Sequence, residues 1–317
     1  MRIIILGYTG LIGNNIFKYL FKNTSSNLIC VGRNVKNKPY KNSRIKYFKW
    51  DFNSFKKQDL VFLKKANIII NCVGKIDNNT DNLKNINVHF IKKLLKYINI
   101  EKTKIRLIHL SSVAVYGGGK NYIDQNKVVS ENSRIKTNNL YSKSKLEADL
   151  LIQKFIKKNI NRNLSYTILR ISNVFGCENK TNLFKFVSFS TKLGIWIRCF
   201  NDIMFNFVNV KDVSQSVFLV ISKLKISKNK TYIVSDDCKQ YQLYKEYQNL
   251  YKKKITRINV PIIFVKFFIN FLPLPKKIIN FFLIISSRVS YSNIKIKKEL
   301  NFNPRFSLLK NIKLLNE

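Results

Sequence analysis

The first thirteen residues constrain the fold most strongly, because an apolar run ends directly in a glycine-rich turn. The run is Ile3-Ile4-Ile5-Leu6, and the turn reads Gly7-Tyr8-Thr9-Gly10-Leu11-Ile12-Gly13. Beyond the turn, apolar side chains continue at helical spacing through Ile16 and Leu20. We predict a strand, a tight turn and a helix whose N-terminus can bind a pyrophosphate. A glycine turn that binds no ligand is the alternative.

The first half of the chain alternates apolar runs with amphipathic helical patterns. The runs cover residues 2–6, 28–31, 45–49, 67–73, 105–110 and 165–169. This alternation predicts an α/β fold, a doubly wound parallel sheet with helices on both faces. The pattern loosens after residue 175. We therefore assign 1–175 and 206–235 to a dinucleotide-binding Rossmann core, and 176–205 and 236–317 to a smaller C-terminal substrate-binding domain.

A second motif places Tyr141 four residues before Lys145, downstream of the double serine Ser111-Ser112. On a helix, side chains at this spacing share one face. A phenol titrates near pH 10 in water, and an adjacent ammonium that stabilises the phenolate would let it act as an acid or base at neutral pH. The alternative is a pair of unrelated residues on a surface helix.

The glycine turn, the double serine and the Tyr-x-x-x-Lys motif, in this order, resemble the extended short-chain dehydrogenase/reductase family. That family contains nucleotide-sugar epimerases, dehydratases and reductases. Further blocks in the family's order are Asp51-Phe52, the stretch 66–74 ending in Val73-Gly74, Asn87-Val88, 169–176 and 207–213. The resemblance spans most of the chain. It implies a Rossmann-type fold, NAD or NADP as cofactor, and a homodimer.

The resemblance also implies a role for each site residue. Ser112 would hydrogen-bond the reacting sugar oxygen, Tyr141 would exchange its proton, and Lys145 would lower the pKa of the phenol and bind the nicotinamide ribose. Asn173 resembles a substrate-contacting residue, with loop packing as the alternative. The implied cofactor-binding residues are Gly7, Tyr8, Thr9, Gly10, Leu11, Ile12, Gly13, Asp51, Phe52, Val73, Gly74, Asn87, Tyr141 and Lys145.

The chemistry of the guanidinium group suggests binding roles for two arginines. Arg33 lies at the end of the second predicted strand, where a guanidinium would meet the 2′-phosphate of NADP. An ordinary surface arginine is the alternative, so NAD and NADP both stay open. Arg198 is a candidate for binding the substrate diphosphate, because a guanidinium fork fits phosphate oxygens.

The residues after Ser112 reduce the number of possible reactions. By the same resemblance, a dehydratase of this family would have Thr-Asp-Glu at this position. This chain has Ser112-Val113-Ala114 instead, which disfavours elimination of water. Epimerisation at C4 and reduction of a 4-keto sugar both remain. We predict one of these reactions on a nucleotide sugar, in cell-surface polysaccharide biosynthesis. A polyprenyl-diphosphate-linked sugar is the alternative substrate, and a non-catalytic dinucleotide- or nucleic-acid-binding protein is the alternative class.

The formal charge of +41 and the pI near 10.1 would ordinarily suggest an anionic partner. The lysines are spread along the whole chain among asparagines and isoleucines, a pattern typical of biased composition rather than of a nucleic-acid-binding patch. We therefore expect no specific nucleic acid. Attraction to nucleotide substrates or membrane headgroups stays open.

The remaining composition indicates a cytoplasmic globular protein without a metal. Five cysteines lack C-x-x-C spacing, which favours free thiols in a reducing compartment, and two histidines offer few metal ligands. Met1-Arg2 leads directly into the first strand, so no signal peptide is expected. The apolar stretch from Val260 to Ile285 is interrupted by lysines and prolines and predicts two short helices. Core packing and an interfacial membrane surface are its two interpretations.

Overall fold

The computed structural model describes residues 1–34, 40–52, 62–63, 66–75, 80–98, 104–117, 126–159, 164–176, 182–200 and 202–316. The strands among them are β1 (Arg2–Leu6), β2 (Asn27–Gly32), β3 (Ile45–Lys49), β4 (Ile68–Asn71), β5 (Ile105–Ser112), β6 (Lys127–Val129), β7 (Leu164–Ile171), β8 (Asn173–Phe175), β9 (Ile195–Arg198), β10 (Met204–Phe205), β11 (Phe207–Asn209), β12 (Lys230–Val234), β13 (Cys238–Lys239), β14 (Thr256–Asn259) and β15 (Val289–Tyr291).

The helices are α1 (Leu11–Asn23), α2 (Thr80–Lys84), α3 (Phe90–Ile98), α4 (Leu140–Lys158), α5 (Asn182–Leu193), α6 (Val210–Ser222), α7 (Gln240–Tyr251), α8 (Ile262–Phe271), α9 (Lys276–Ser286) and α10 (Ile294–Leu300). A turn of π-helix (Asn85–His89) joins α2 to α3, and a 3₁₀ turn (Val113–Tyr116) follows β5. The helices α8 and α9 are the two short helices predicted from the interrupted apolar stretch.

Seven parallel strands form the main sheet, in the order β12-β7-β5-β4-β1-β2-β3. All six apolar runs predicted as strands lie in this sheet, and β12 adds the seventh. The predicted doubly wound α/β fold is therefore confirmed. The order reverses between β1 and β4, and this switch point is where open parallel sheets form a ligand crevice.

Burial on both sheet faces explains the uninterrupted apolar sequence of β1. Ile3 and Ile5 point to one face and pack in a cluster with residues of α1 and α6, such as Ile16 and Val217. Ile4 points to the opposite face and packs with residues of α3 and α4. Because alternate residues of a strand face opposite sides, a strand covered by helices on both sides must be apolar throughout.

A separate apolar cluster organises the C-terminal part, around Trp196, Phe205 and Tyr244. A further cluster, formed by Val265, Ile269 and Ile285, joins α8 to α9. The division into a Rossmann core and a substrate-binding domain stays a prediction. Within the described part of the chain, none of the helices is both long and apolar enough to cross a membrane.

The described cysteines all carry free thiols, as expected, and they are Cys30, Cys72, Cys199 and Cys238. The fifth, Cys177, lies outside the described residues.

The glycine turn brings α1 against the end of β1. Gly7 has a positive φ of 80°, and a Cβ there would lie 3.2 Å from the carbonyl carbon of Cys72. A Cβ on Gly13 would lie 2.3 Å from the carbonyl oxygen of Gly7, far inside van der Waals contact. Gly10 differs, since its only near neighbour would be the Gly7 oxygen at 3.4 Å. The fold itself therefore requires glycine at positions 7 and 13, but not at 10.

We expect Gly13→Ala to lower the free energy of unfolding by about 3 kcal/mol, because the added methyl group would overlap rigid backbone. Gly10→Ala should cost about 1 kcal/mol or less, which reflects only the weaker N-cap preference of alanine. Urea unfolding of both variants beside the wild type measures the difference. Equal losses in the two variants would contradict this account of the turn.

Candidate active site

A cleft of about 820 Å³ opens at the carboxyl ends of the central strands, at the switch point of the sheet. One wall is the glycine turn, from Gly10 to Gly13, and the floor includes the end of β5. The opposite wall comes from the start of α4, the segment 171–174 and the region between α9 and β15. The cleft thus collects both predicted motifs in one place.

The N-terminus of α1 forms a cradle for a negatively charged group. Gly10 is the N-cap of this helix, without a side-chain cap, and the first turn contains no acidic residue. The first backbone N–H groups of a helix have no partner within it, and the helix dipole favours an anion there. Because Gly10 leaves open space where a side chain would stand, the backbone can approach a pyrophosphate. This geometry fits the predicted dinucleotide.

Two side chains of the turn are directed away from the cleft. Tyr8 is buried, and its ring lies 5.6 Å from that of Tyr47 and 6.4 Å from that of Phe17. Thr9 lies over β2, where a Cβ on Gly32 would come within 2.9 Å of its Cγ2 atom. These two residues therefore support the turn, and neither is among the described side chains that line the cleft.

A capping box fixes the start of α4 and thereby the position of Tyr141. The Ser142 backbone N–H donates to Asn139 Oδ1 at 2.8 Å, and the Asn139 N–H donates to Ser142 Oγ at 3.1 Å. Such reciprocal bonds satisfy donors that a helix start leaves unpaired. Tyr141 then stands in the first turn, half-buried at the cleft wall.

Ser112 is the last residue of β5, and its hydroxyl reaches the cleft beside Tyr141. Its Oγ atom accepts a hydrogen bond from the Ala114 N–H at 3.2 Å, which holds the side chain in place. The adjacent Ser111 is buried, whereas Ser112 is half-buried. This difference supports Ser112 rather than Ser111 as the catalytic serine.

The pKa of Tyr141 is raised above its usual value of 10.0, because burial disfavours the phenolate. The hydrogen bond with Ser112 lowers this pKa, and the Asp149 carboxylate raises it further. The sequence predicted that Lys145 would hold the pKa of the phenol down. In this structure the net shift is upward, and burial is its largest cause.

Lys145 lies one helical turn beyond Tyr141 and is buried at 5% exposure. Its Nζ atom donates to the carbonyl oxygen of Leu110 at 3.1 Å. The ammonium passes directly beneath Gly74, where a Cβ would lie 2.9 Å from Nζ. Burial lowers its pKa from 10.5 to about 8, while the negative charge of Asp149 acts in the opposite direction.

A buried polar layer beneath Lys145 was not predicted from the sequence. Asp149 is fully buried and accepts a hydrogen bond from Arg170 Nε at 3.1 Å. Arg170 Nη1 in turn donates to the Tyr116 hydroxyl at 2.6 Å. His109 Nε2 lies 3.9 Å from Asp149 Oδ1, and burial lowers the pKa of this histidine so that it is neutral. The only sequence signal for this layer is the four-residue spacing from Lys145 to Asp149.

Asn87 acts as a clamp rather than as part of the cleft lining. It is buried in the π-helical turn, and its Oδ1 atom accepts from the Lys75 N–H at 2.9 Å. Its Nδ2 atom donates to the Lys75 carbonyl oxygen at 3.1 Å and to Ser144 Oγ at 2.9 Å. The residue therefore joins the loop after β4 to α4, and so positions Gly74 beside Lys145.

The remaining predicted cofactor residues lie outside the described lining of the cleft. Val73 is buried, and its N–H donates to Asn71 Oδ1 at 3.0 Å. Phe52 is also buried, with its ring 5.4 Å from that of Phe90, while Asp51 is exposed beside it. Arg33 is exposed just beyond the end of β2. Contacts of Asp51 and Arg33 with the adenosine half of a cofactor stay predictions.

The two predicted substrate residues besides Ser112 have different positions. Asn173 lines the cleft and donates through Nδ2 to the Asn206 carbonyl oxygen at 2.9 Å. Arg198 is absent from the described lining. Its guanidinium stacks 4.4 Å over the ring of Trp196, and its Nε donates to Asn259 Oδ1 at 2.9 Å. The structure thus brings Asn173 to the site and leaves Arg198 apart from it.

The sequence reasoning missed several residues that line the cleft. They belong to loops or to the distant C-terminal segment, and they are Lys75, Asn138, Asn139, Asn206, Leu283, Val289 and Tyr291. Asn139 carried one usable signal, because asparagine is a favoured N-cap two residues before a predicted first-turn tyrosine. The others lie far from the motifs along the chain.

The buried ammonium of Lys145 predicts a pH-dependent stability difference between the wild type and Lys145→Met. Below about pH 8 both folded and unfolded Lys145 are charged, so the cost of burying the charge is present in full. Between about pH 8 and 10.5 the folded protein releases the proton first, and the wild type recovers stability. We expect its free energy of unfolding to rise by about 2 kcal/mol relative to the variant between pH 7 and about pH 9.5.

Urea unfolding at the two pH values measures this change. Lys143→Met is the matched control, because Lys143 is exposed on the same helix turn. The difference in free energy of unfolding between Lys143→Met and the wild type should be the same at both pH values. A Lys145→Met difference that is equally independent of pH would contradict the burial account.

Known proteins resemble this chain in sequence and in fold. The model of the NAD dependent epimerase/dehydratase family matches residues 3–234. ADP-L-glycero-D-manno-heptose-6-epimerase from Brachyspira hyodysenteriae is 33% identical over 183 residues, which is 55% of each chain. The chain therefore aligns with about half the length of this curated relative.

Solved structures agree along the whole chain. UDP-glucuronic acid 4-epimerase from Bacillus cereus, in complex with NAD, superposes with a TM-score of 0.72 at 15% identity, and the match covers 100% of both chains. MoeE5, in complex with UDP-glucose and NAD, gives 0.72 at 16% identity and covers 100% of this chain and 97% of its own. At sequence identities this low, the structural similarity shows that the fold is shared. Because the family model covers most of the chain, the protein belongs to the NAD dependent epimerase/dehydratase family.

Proposed function

We propose that this protein is an NAD-dependent 4-epimerase of a nucleotide sugar. The observation that carries the proposal is that Ser112, Tyr141 and Lys145 line the same cleft as the accessible backbone of Gly10. The similar solved proteins include a UDP-glucuronic acid 4-epimerase and a protein bound to UDP-glucose, which favours a nucleotide sugar as substrate. We assign its product to cell-surface polysaccharide assembly.

The glycine turn and Lys145 would hold the dinucleotide. The pyrophosphate fits the N-terminus of α1, where Gly10 leaves the backbone accessible. When bound, NAD supplies the acceptor and donor for hydride exchange with the sugar carbon. Lys145, with its charge partly balanced by Asp149, binds the ribose next to Tyr141.

The proton on the sugar oxygen is handled by this chain's own residues. Tyr141 takes or returns the proton at its phenol oxygen, and Ser112 shares a hydrogen bond with the same oxygen. Burial raises the pKa of Tyr141, so the phenol is ready to donate its proton in the reduction half of the reaction, whereas the oxidation half requires the phenolate as proton acceptor. Burial in the cleft excludes water and makes such proton transfer depend on groups held in place.

One observation favours a 4-ketoreductase as a second candidate. A phenol that is protonated at neutral pH enters the reaction as a proton donor, which suits reduction of a keto sugar. Epimerisation needs both oxidation and reduction at the same carbon, whereas a reductase needs only the second. The two reactions are distinguished by the cofactor, because an epimerase regenerates its NAD and a reductase consumes one reduced dinucleotide per turnover.

A lipid-linked sugar is a further candidate substrate. Leu283 of α9 lines the cleft and also packs in the apolar cluster between α8 and α9. Among the described lining residues, the cations are Lys75 and Lys145, and arginine does not occur. An apolar wall suits the chain of a carrier lipid, whereas the diphosphate of either substrate would rely on the same two lysines.

The proposal is tested by incubating the protein with UDP-, dTDP- and ADP-sugars and either NAD or NADPH, and by assigning the products with NMR. A sugar inverted at C4 without net cofactor consumption supports the epimerase. Stoichiometric oxidation of NADPH with a 4-keto nucleotide sugar as the added acceptor supports the reductase. Inversion at C6 would overturn the assignment to the 4-position.

We expect Tyr141→Phe to lower kcat by about 10²–10⁴-fold, because the variant lacks the proton that the reaction transfers. NAD binding should be retained. Ser112→Ala should lower kcat by at least about tenfold, since it removes a hydrogen bond to the reacting oxygen. Ser222→Ala is the matched control, because Ser222 is exposed on α6 outside the described lining of the cleft, and its kcat should stay near that of the wild type. Full activity in Tyr141→Phe would exclude the proposed mechanism.

Gly10→Ala is expected to raise the Kd for NAD by about tenfold or more, because its methyl group would occupy the space left for the pyrophosphate. Isothermal titration with NAD measures the change. The unfolding curve of the same variant serves as the control, since it should stay close to that of the wild type. An unchanged Kd would place the pyrophosphate elsewhere.

A further inference from the structure

The outer face of α8 exposes large apolar side chains to solvent. Ile263, Phe264, Phe267 and Phe271 are 71%, 54%, 52% and 74% exposed. At 100° per residue these four positions lie within one 100° sector of the helix. We refer to them as the α8 face. Their exposure is unusual, because large contiguous apolar patches on soluble proteins mark interaction sites.

The opposite face of α8 fixes the orientation of the helix. Val265 and Ile269 are buried and pack against Ile285 of α9. Phe268 stacks on Phe282 with ring centroids 5.6 Å apart. Since this side already anchors the helix to the protein, the α8 face is directed outward by the fold itself.

Neighbouring elements continue the apolar surface. Phe186 of α5 packs in the same cluster as α8, and Phe189 and Leu193 follow it at helical spacing with 64% and 55% exposure. Leu272, at the end of α8, and Ile278 on α9 are also exposed. The apolar surface therefore extends beyond a single helix.

The segment around α8 is strongly basic. Residues 247–298 contain eleven lysines and arginines and no aspartate or glutamate. Lys252, Lys253, Lys254 and Arg257 are exposed in the segment that leads into α8 through Pro261. Exposed aromatic side chains beside an acid-free basic segment match the composition of helices that lie in a membrane interface.

We propose that the α8 face docks on an anionic phospholipid bilayer. The helix has ten residues and is about 15 Å long, so it lies in the interface rather than crossing a hydrocarbon core of about 30 Å. The phenylalanines and Ile263 insert among the acyl chains, while the flanking lysines and arginine meet the headgroup phosphates. A second copy of the chain fits less well, because two identical basic flanks repel each other.

Docking brings the cleft close to the membrane. Leu283 packs in the cluster that anchors α8 and also forms part of the cleft wall. The docking surface and the candidate active site are therefore parts of one packed unit. The proposal itself does not depend on the reaction catalysed.

Vesicle flotation tests the proposal with the full-length protein. We expect partitioning onto phosphatidylcholine vesicles that contain phosphatidylglycerol, and much less onto pure phosphatidylcholine. Raising the salt from about 0.1 M to about 1 M should weaken binding, because it screens the headgroup charge. Phe267→Ser/Phe271→Ser should lower the partition coefficient at least tenfold. The matched control is Leu150→Ser/Ile226→Ser, which removes two exposed apolar side chains outside the segment 247–298 and should bind like the wild type.

Circular dichroism and NAD titration establish that both double variants are folded. Absence of vesicle binding by the wild type overturns the proposal, as does equal binding by Phe267→Ser/Phe271→Ser. Sedimentation equilibrium tests the alternative that a second copy of the chain binds the α8 face. A wild-type oligomer that Phe267→Ser/Phe271→Ser dissociates would show that a second copy, rather than a bilayer, covers the α8 face.

Discussion

The contact between Gly13 and the carbonyl oxygen of Gly7 sets the geometry on which the rest of the site depends. It allows α1 to start immediately after β1, so that its N-terminus opens onto the switch point of the sheet. The positive φ of Gly7 turns the chain toward the loop after β4. That loop carries Gly74, beneath which Lys145 reaches the cleft. One backbone contact thus aligns the dinucleotide cradle with the proton-handling residues.

Burial gives the site its electrostatic character. It raises the pKa of Tyr141 and Asp149 and lowers that of Lys145. Arg170 and Lys145 act against burial at Asp149, and Asp149 acts against it at Lys145, whereas Asp149 raises the pKa of Tyr141 further. The layer of Asp149, Arg170 and Tyr116 is hydrogen-bonded inside the protein and therefore costs less than isolated charges would. The enzyme holds a positive charge near Tyr141 because that layer supports it from below.

Much of the fold could be predicted from the sequence, because periodicity reports burial directly. The runs that became β1 and β5 are apolar throughout since helices cover both faces, and Tyr141 and Lys145 share a face because α4 is a regular helix. The resemblance to a family supplied the roles of Ser112 and Asn173. Contacts between distant segments left no local pattern. Asp149 with Arg170, and the cleft wall from Leu283 to Tyr291, were therefore missed. The predicted role of Arg198 in binding a diphosphate rested on its chemistry alone. The orientation of its side chain is set by its contacts with Trp196 and Asn259.

The clamp formed by Asn87 has a consequence for how the molecule could change during evolution. The helix that carries Tyr141 and Lys145 is held against the sheet through Asn87, Leu110 and Asp149. Leu283, Val289 and Tyr291 line the cleft from the C-terminal segment. Val289 and Tyr291 pack with Val113 and Tyr116, next to Ser112, whereas Leu283 packs in the separate cluster between α8 and α9. Replacing Leu283 would therefore reshape the cleft wall while the packing around Ser112 and Lys145 stays unchanged. At this one position the shape of the cleft can change without a change in the residues beside Tyr141.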